Sequence, residues 1–209
     1  MKRQPILLIG AGGHCRSCMD VIEQEGRWDI AGLVGQKAEI GTSVLGYPVI
    51  ASDAELADLV KDYPYALITV GHIHTPSLRA QLFHDARRLG FTLSVVVSPR
   101  AYVSRHASIG DGTMVFHGAV VNAGARIGMN CIVNSQALVE HDVAVGDHCH
   151  ISTGAILNGD VRVGACSFVG SASVVKQGIV LGEHSFLGMG VTLKGNLDAH
   201  SRLTREECA

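Results

Sequence analysis

The stretch Leu138-Val139-Glu140-His141-Asp142 places an imidazole between two carboxylates. A carboxylate beside a histidine can hold one ring nitrogen protonated, which leaves the other free to accept a proton near neutral pH. Either Glu140 or Asp142 can serve as that orienting acid, and the pattern suits a general base. Asn134 and His150 add polar groups on the flanking segments. A chain with eleven histidines exposes several without any chemical role, and His106, His117, His148 and His184 are read that way.

Four other stretches carry chemistry-bearing side chains. Gly10-Ala11-Gly12-Gly13-His14 follows the apolar run Pro5–Gly10 and precedes a helical pattern through Met19, Val21 and Ile22, the opening unit of a doubly wound α/β domain. Its loop amides suit anionic ligand groups. The dinucleotide pattern G-x-G-x-x-G is incomplete, because Cys15 stands at the third glycine and Val34-Gly35-Gln36-Lys37 offers no acid after the second strand. NAD(P) is therefore not expected. Cys15-Arg16-Ser17-Cys18 has the C-x-x-C spacing, but the surrounding glycine loop favours two small packing residues over a redox pair. His72-x-His74 and His148-x-His150 lack flanking ligands at familiar zinc spacing, so no metal is expected.

The element that positions His141 spans residues 101–195. An aliphatic residue recurs there at every sixth place, from Val103 and Ile109 through Val139, Val145 and Ile151 to Leu187 and Leu193. Small residues stand two places before many of these anchors, as at Ala101, Ala119, Ala137, Ser167 and Ser185. Neither a helix nor an ordinary strand has that period; a hexapeptide-repeat parallel β-helix does. Gly110, Gly128, Gly146, Gly164 and Gly182 recur at 18-residue spacing, which predicts three walls per coil and a corner that needs a glycine conformation. On this coil His141 falls at a corner and points outward. Ala123 and Gly159, one coil to either side, leave room beside it. Cys131 and Cys149 stand two places before their anchors and read as inward packing residues.

The first hundred residues read as strands over Ile30–Val34, Ala66–Val70 and Phe91–Val97. Ser52-Asp53-Ala54-Glu55 forms a capping box, and a helix opens with Thr75 as cap and Pro76 in its first turn, with Gly90 past its end. This gives a Rossmann-like domain over residues 1–98 followed by an all-β solenoid over 99–209. Net charge −2 argues against nucleic acid or an anionic membrane as partner. No apolar run is long enough to span a membrane, and the short one at Pro5–Ile9 enters a glycine loop in place of a cleavage site. Six cysteines without a secretory signal suggest reduced thiols and a cytoplasmic location.

The whole chain resembles the NeuD/PglD family of sugar acyltransferases. The resemblance rests on the loop Gly10–His14, Gly46-Tyr47-Pro48-Val49, Thr69-Val70-Gly71, and the segment Asn134–Gly164 with Glu140-His141-Asp142 and Cys149-His150-Ile151-Ser152. It implies a left-handed β-helix, a homotrimer, and acetyl transfer from acetyl-CoA to a nucleotide-linked amino sugar in surface glycan or polysaccharide biosynthesis. It further implies His141 as general base with Asp142 as its acidic partner. Asn134 and His150 match polar residues of the active site, and Gly12, Gly13 and His14 match the loop that holds the nucleotide-linked sugar. Gly159, Gly170, Ser171 and Gly188 match positions that bind acetyl-CoA between coils. Two departures stand out: Val34-Gly35-Gln36 replaces an acidic pair, and Leu203-Thr204-Arg205-Glu206-Glu207-Cys208-Ala209 lacks the G-x-P-A segment that finishes the cofactor groove. O-acetylation of sialic acid is the alternative within the fold, a non-catalytic solenoid scaffold the alternative outside it, and a Rossmann oxidoreductase a third class.

Overall fold

The computed structural model describes residues 3–205, so Glu206–Ala209 of the terminal segment lie outside the described residues. The N-terminal domain is built from β1 (Gln4–Ile9), α1 (Gly13–Glu25), β2 (Trp28–Gly35), β3 (Ser43–Val44), β4 (Tyr47–Ser52), α2 (Leu56–Leu59), β5 (Tyr65–Ile68), α3 (Ser77–Leu89) and β6 (Thr92–Leu93). These strands form one sheet in the order β3-β4-β2-β1-β5-β6, parallel except for β3. The apolar run of β1 is central because it is covered on both faces. Ile6 and Leu8 meet α1, and Leu7 and Ile9 meet α2 and α3.

Local signals account for most of these boundaries. The amide and hydroxyl of Ser52 both donate to the Glu55 carboxylate, at 2.7 and 3.0 Å, so the expected capping box closes the turn before α2. Pro76 sits one place before α3 and not in its first turn; the cap comes from Thr75, whose hydroxyl oxygen accepts the Ser77 amide at 3.2 Å. Gly90, at φ 99°, ends that helix. The strand expected over Phe91–Val97 is divided. Thr92–Leu93 pairs with β5, whereas β7 (Val96–Val97) pairs with Met114–Val115 in the solenoid, because the Ser94 amide still bonds Ala66 while the Val96 amide bonds Thr113.

From β7 onward the chain is a left-handed parallel β-helix of three walls. The first wall has seven two-residue strands beginning with β7 and including His150–Ile151. The second has six and includes Leu138–Val139, and the third has five, from Ser108–Ile109 to Val180–Leu181. Up to Leu193 each strand pairs with the one 18 residues on, as Val139 does with Leu157, and the last coil is two residues shorter, with Phe186 paired to Arg202. The anchors from Val115 to Leu193 are buried in one continuous core, with Ala119, Ala137, Ser167 and Ser185 packed beside them. Cys131 and Cys149 lie fully buried in the same layer and donate to the carbonyls of Gly146 and Gly164 at 3.1 Å, in agreement with a packing role.

The 18-residue glycine column has a different cause from the one expected. None of Gly110, Gly128, Gly146, Gly164 and Gly182 has a left-handed φ. An added Cβ at Gly110 would lie 2.7 Å from the Gly128 carbonyl carbon, and one at Gly146 would lie 2.6 Å from the Ala165 amide. Close approach of successive coils excludes the side chain. The left-handed turn falls two places later and recurs at every sixth residue. Asn130, Gln136, Asp142, His148, Asp160, Cys166, Ala172 and His184 adopt it at φ between 54° and 61°. Each pays about 1 kcal/mol for that conformation, offset by the ladder on either side.

The two domains dock on the first wall. Met114 and Ile132 face outward from the coil, yet are buried in one cluster with α1 and β1. Arg79 on α3 is fully buried and donates to the carbonyls of Ile68 (2.6 Å), Val70 (2.8 Å) and Asn130 (3.1 Å), tying the end of β5 to a solenoid corner. His117 and His148, read from sequence as incidental exposed rings, are also joints. His117 Nε2 lies 2.7 Å from Asp20 of α1, and buried His148 packs edge-on against the Phe83 and His84 rings of α3 while bonding Asn130 through Nδ1 at 2.9 Å.

Close coil approach predicts that Gly146→Ala destabilises the protein by about 2 kcal/mol through overpacking. Gly195→Ala, where nothing lies within 4 Å of the added carbon, is the control. Thermal midpoints of the two variants should separate, with only the first well below wild type.

Candidate active site

At the carboxyl end of the N-terminal sheet, β1 and its neighbours β2 and β5 open a crevice at the point where strand order reverses. Gly10 leaves β1 at φ 119°, and a Cβ there would strike Val70 at 2.6 Å; Thr69 donates its hydroxyl to the Gly10 carbonyl at 2.6 Å. This turn leaves Gly12 and Gly13 exposed, with nothing within 4 Å of an added carbon, and α1 starts at Gly13 with its free amides toward the crevice. The cavity measures about 780 Å³ and extends from the Gly10–His14 loop past Gly35 and Glu39 to Gly71–Thr75 and His150.

The cavity floor carries three imidazoles. His150 points out of the coil but is buried under the loop after β5, with Nδ1 2.7 Å from the His72 carbonyl and Nε2 3.2 Å from the Asn134 amide. A carbonyl only accepts, so Nδ1 carries the proton and Nε2 accepts from Asn134. Burial, with the Arg79 charge behind it, holds His150 down to about 4 and His14 down to about 3. His72 is likewise held at about 3, by burial and then by His150 and Arg79. All three rings are neutral at pH 7. Both ring nitrogens of His72 and Nε2 of His14 are buried without a partner among the described residues, and both side chains line the cavity. An unpartnered buried polar atom is costly, and a polar ligand in the cavity would satisfy it.

A second constellation stands at the corner between the second and third walls. His141 is exposed, and its Nδ1 lies 3.0 Å from the Asp142 carboxylate. Its Nε2 lies over Gly159, where an added Cβ would come within 2.6 Å. Asp142 is held in its left-handed turn and lies against Gly124 of the preceding coil. Glu140 is turned away from the ring, accepting the Asn122 amide at 2.9 Å. Of the two candidate acids, Asp142 touches the imidazole. Its hydrogen bond raises the His141 pKa above the ordinary histidine value.

The sequence-derived residues fall into three places. Gly12, Gly13, His14 and His150 line the cavity, and Asn134 reaches it through His150. Asn134, Gly170, Ser171 and Gly188 stack at the corner that follows the first wall, where the Ser171 and Ser152 hydroxyls are 2.9 Å apart and a Cβ at Gly170 would lie 2.5 Å from the Gly188 carbonyl carbon. His141, Asp142 and Gly159 stand at the next corner. Sequence reasoning passed over His72, Glu39 and Asp53, which also line the cavity. The available signal for His72 was its place just after Gly71, at the end of a central strand.

A Rossmann-like domain docked on a hexapeptide solenoid, with a carboxylate-oriented histidine at a coil corner, defines a solenoid acyltransferase. Residues 5–86 match the PglD N-terminal domain, and residues 160–194 match the hexapeptide repeat of succinyl-transferase. No curated protein matches the chain by sequence. The acetyltransferase domain of PglB from Neisseria gonorrhoeae, solved with acetyl coenzyme A, is 30% identical, with 98% of each chain covered and a TM-score of 0.89. PerB from Caulobacter crescentus, solved with CoA and GDP-perosamine, is 29% identical over 96% of this chain and 93% of that one, with a TM-score of 0.89. WeeI from Acinetobacter baumannii, at 20% identity and a TM-score of 0.86 over 97% of both chains, shares the fold. The chain belongs to the NeuD/PglD family of sugar acyltransferases.

The lowered histidine pKa values fix the sign of a pH effect. The unfolded chain binds protons at these sites near pH 6.5 and the folded chain only near 3 to 4, so stability falls as pH drops below about 6.5. The thermal midpoint is expected to fall between pH 7 and pH 5, and His72→Gln should flatten that slope.

Proposed function

We propose that this protein transfers the acetyl group of acetyl-CoA to the amine of a nucleotide-linked 4-amino sugar, in surface glycan or polysaccharide biosynthesis in the cytoplasm. The observation that carries the reading is the His141–Asp142 pair with Nε2 directed over Gly159. The crevice takes the nucleotide-linked sugar, through the amides at Gly12 and Gly13 and the neutral rings of His14 and His150. PglB and PerB, solved with acetyl coenzyme A and with CoA plus GDP-perosamine, support these two substrate classes.

Asp142 holds the proton on Nδ1, and the Nε2 lone pair receives a proton from the attacking amine. The nitrogen forms a bond to the thioester carbonyl carbon, the carbon–sulfur bond breaks, and the departing sulfur takes the proton from Nε2, leaving as the thiol of CoA and restoring the neutral imidazole. No covalent enzyme intermediate is required. The base and the crevice stand at different corners of one protomer. A homotrimer brings the His141 corner of one subunit beside Asn134, Gly170, Ser171 and Gly188 of the next. The narrow backbone spacing at Gly170 and Gly188 suits a pantetheine arm held by main-chain groups.

Product masses after incubation with acetyl-CoA and UDP-, dTDP- or GDP-linked 4-amino sugars test this reading, with free and CMP-linked sialic acid alongside. One amino sugar should gain an acetyl group, and His141→Ala should lower kcat by about 10²- to 10⁴-fold while leaving the assembly intact. Acetylated sialic acid alone would move the assignment to O-acetylation, and no product on any acceptor would favour a scaffold. The pH profile of kcat/KM should show a limb above the ordinary histidine value, with activity lost as pH falls. Asp142→Asn should move that limb to lower pH, since the carboxylate is what raises it.

A further inference from the structure

The end of β2 is where a doubly wound domain ordinarily presents an acid to the ribose of its ligand, and Val34-Gly35-Gln36 has none. The fold supplies a carboxylate there by another route. After β2 the chain makes a short 3-10 turn at Lys37–Glu39, and the Glu39 side chain folds back so that Oε2 accepts the Gln36 amide at 2.7 Å. This places the carboxylate directly over Gly35, where an added Cβ would lie 2.7 Å from the same oxygen. Glu39 therefore occupies the space that a side chain at residue 35 would fill. It is half-buried, it lines the cavity beside the glycine loop, and Oε1 accepts no bond from the described residues. A carboxylate with one oxygen anchored to the backbone and the other facing a ligand crevice is pre-organised to receive a pair of neighbouring hydroxyls.

We infer that Glu39 is the specificity residue for the nucleoside half of the substrate, its free oxygen accepting the vicinal hydroxyls of a ribose and so selecting ribonucleotides over deoxyribonucleotides. The inference rests on the sugar-nucleotide reading of the crevice. Only glycine at residue 35 leaves room for this arrangement, so the missing acid and the glycine are parts of one substitution. Asp53 is the other acid along the cavity, but no backbone amide of the described residues fixes its carboxylate as the Gln36 amide fixes that of Glu39.

Calorimetric titration of the full-length protein with ADP, GDP, UDP, CDP and dTDP identifies the nucleotide that binds; dTDP as the sole ligand overturns the inference and leaves the sugar-nucleotide reading standing. The 2′-deoxy and 3′-deoxy forms of that nucleotide are then compared on wild type, Glu39→Gln and Asp53→Asn. Wild type should bind the parent nucleotide roughly ten- to a hundredfold more tightly than the deoxy forms, the range for a hydrogen bond to a charged group. Glu39→Gln retains an oxygen for the Gln36 amide, so the turn is preserved; it should erase most of that discrimination while binding the deoxy forms as wild type does. Equal binding of parent and deoxy forms by wild type overturns the inference, as does discrimination that survives Glu39→Gln or disappears in Asp53→Asn. Failure of every nucleotide to bind wild type overturns the sugar-nucleotide reading and this inference with it.

Discussion

The constraint on which everything else depends is the coil-to-coil ladder. Through all but the last coil each wall strand is hydrogen-bonded to the one 18 residues on, so each corner is stacked on the same corner of the next coil. A side chain at a corner is thereby held against a fixed partner: the His141 ring against Gly159, and the Asp142 carboxylate against Gly124. The residue chosen one coil away decides whether a corner is filled or open. Glycine at 159 leaves open the place beside Nε2, and the left-handed backbone at Asp142 brings its carboxylate to Nδ1. The His141 ring is oriented by the regularity of the solenoid.

The N-terminal domain adds a site that the solenoid alone would lack. Its docking on the first wall converts outward His150 into a buried ring beneath the loop after β5. Arg79, buried among backbone carbonyls, sets the height of that loop and puts a positive charge behind the imidazoles. Burial and charge act in the same direction, so the cavity floor is polar but neutral. Such a surface can donate and accept hydrogen bonds without attracting a tightly held counter-ion. The contrast with His141 is instructive, since exposure and an adjacent carboxylate push that ring in the opposite direction.

Much of this was legible in the residues. The six-residue aliphatic period identified the coil because a narrow prism admits one branched side chain per wall, and the 18-residue glycine spacing gave it three walls. The pairing of His141 with a neighbouring acid, and the openness of Gly159, followed from the same register. The column Gly110–Gly182 was seen correctly and explained wrongly, because a contact between coils and a demand for positive φ leave the same glycine in a sequence. The true left-handed positions were hidden, since Asn, Gln, Asp, His, Cys and Ala all occupy them. His117 and His148 looked incidental for a related reason: their partners, Asp20 and Asn130, are 97 and 18 residues away.

By itself the sequence determined the repeat, the glycine loop, the place of His141 at a corner and the two-part architecture, because each is a periodic or local pattern that a chain displays in one dimension. Only the tertiary structure decided that Glu140 turns to Asn122, that His72 is a group with no partner among the described residues on a cavity floor, and that Glu39 folds back over Gly35. These depend on how a corner, a loop and a turn are set against distant backbone. Distance in space between such elements is fixed by packing, and no spacing of residue types along the chain encodes it.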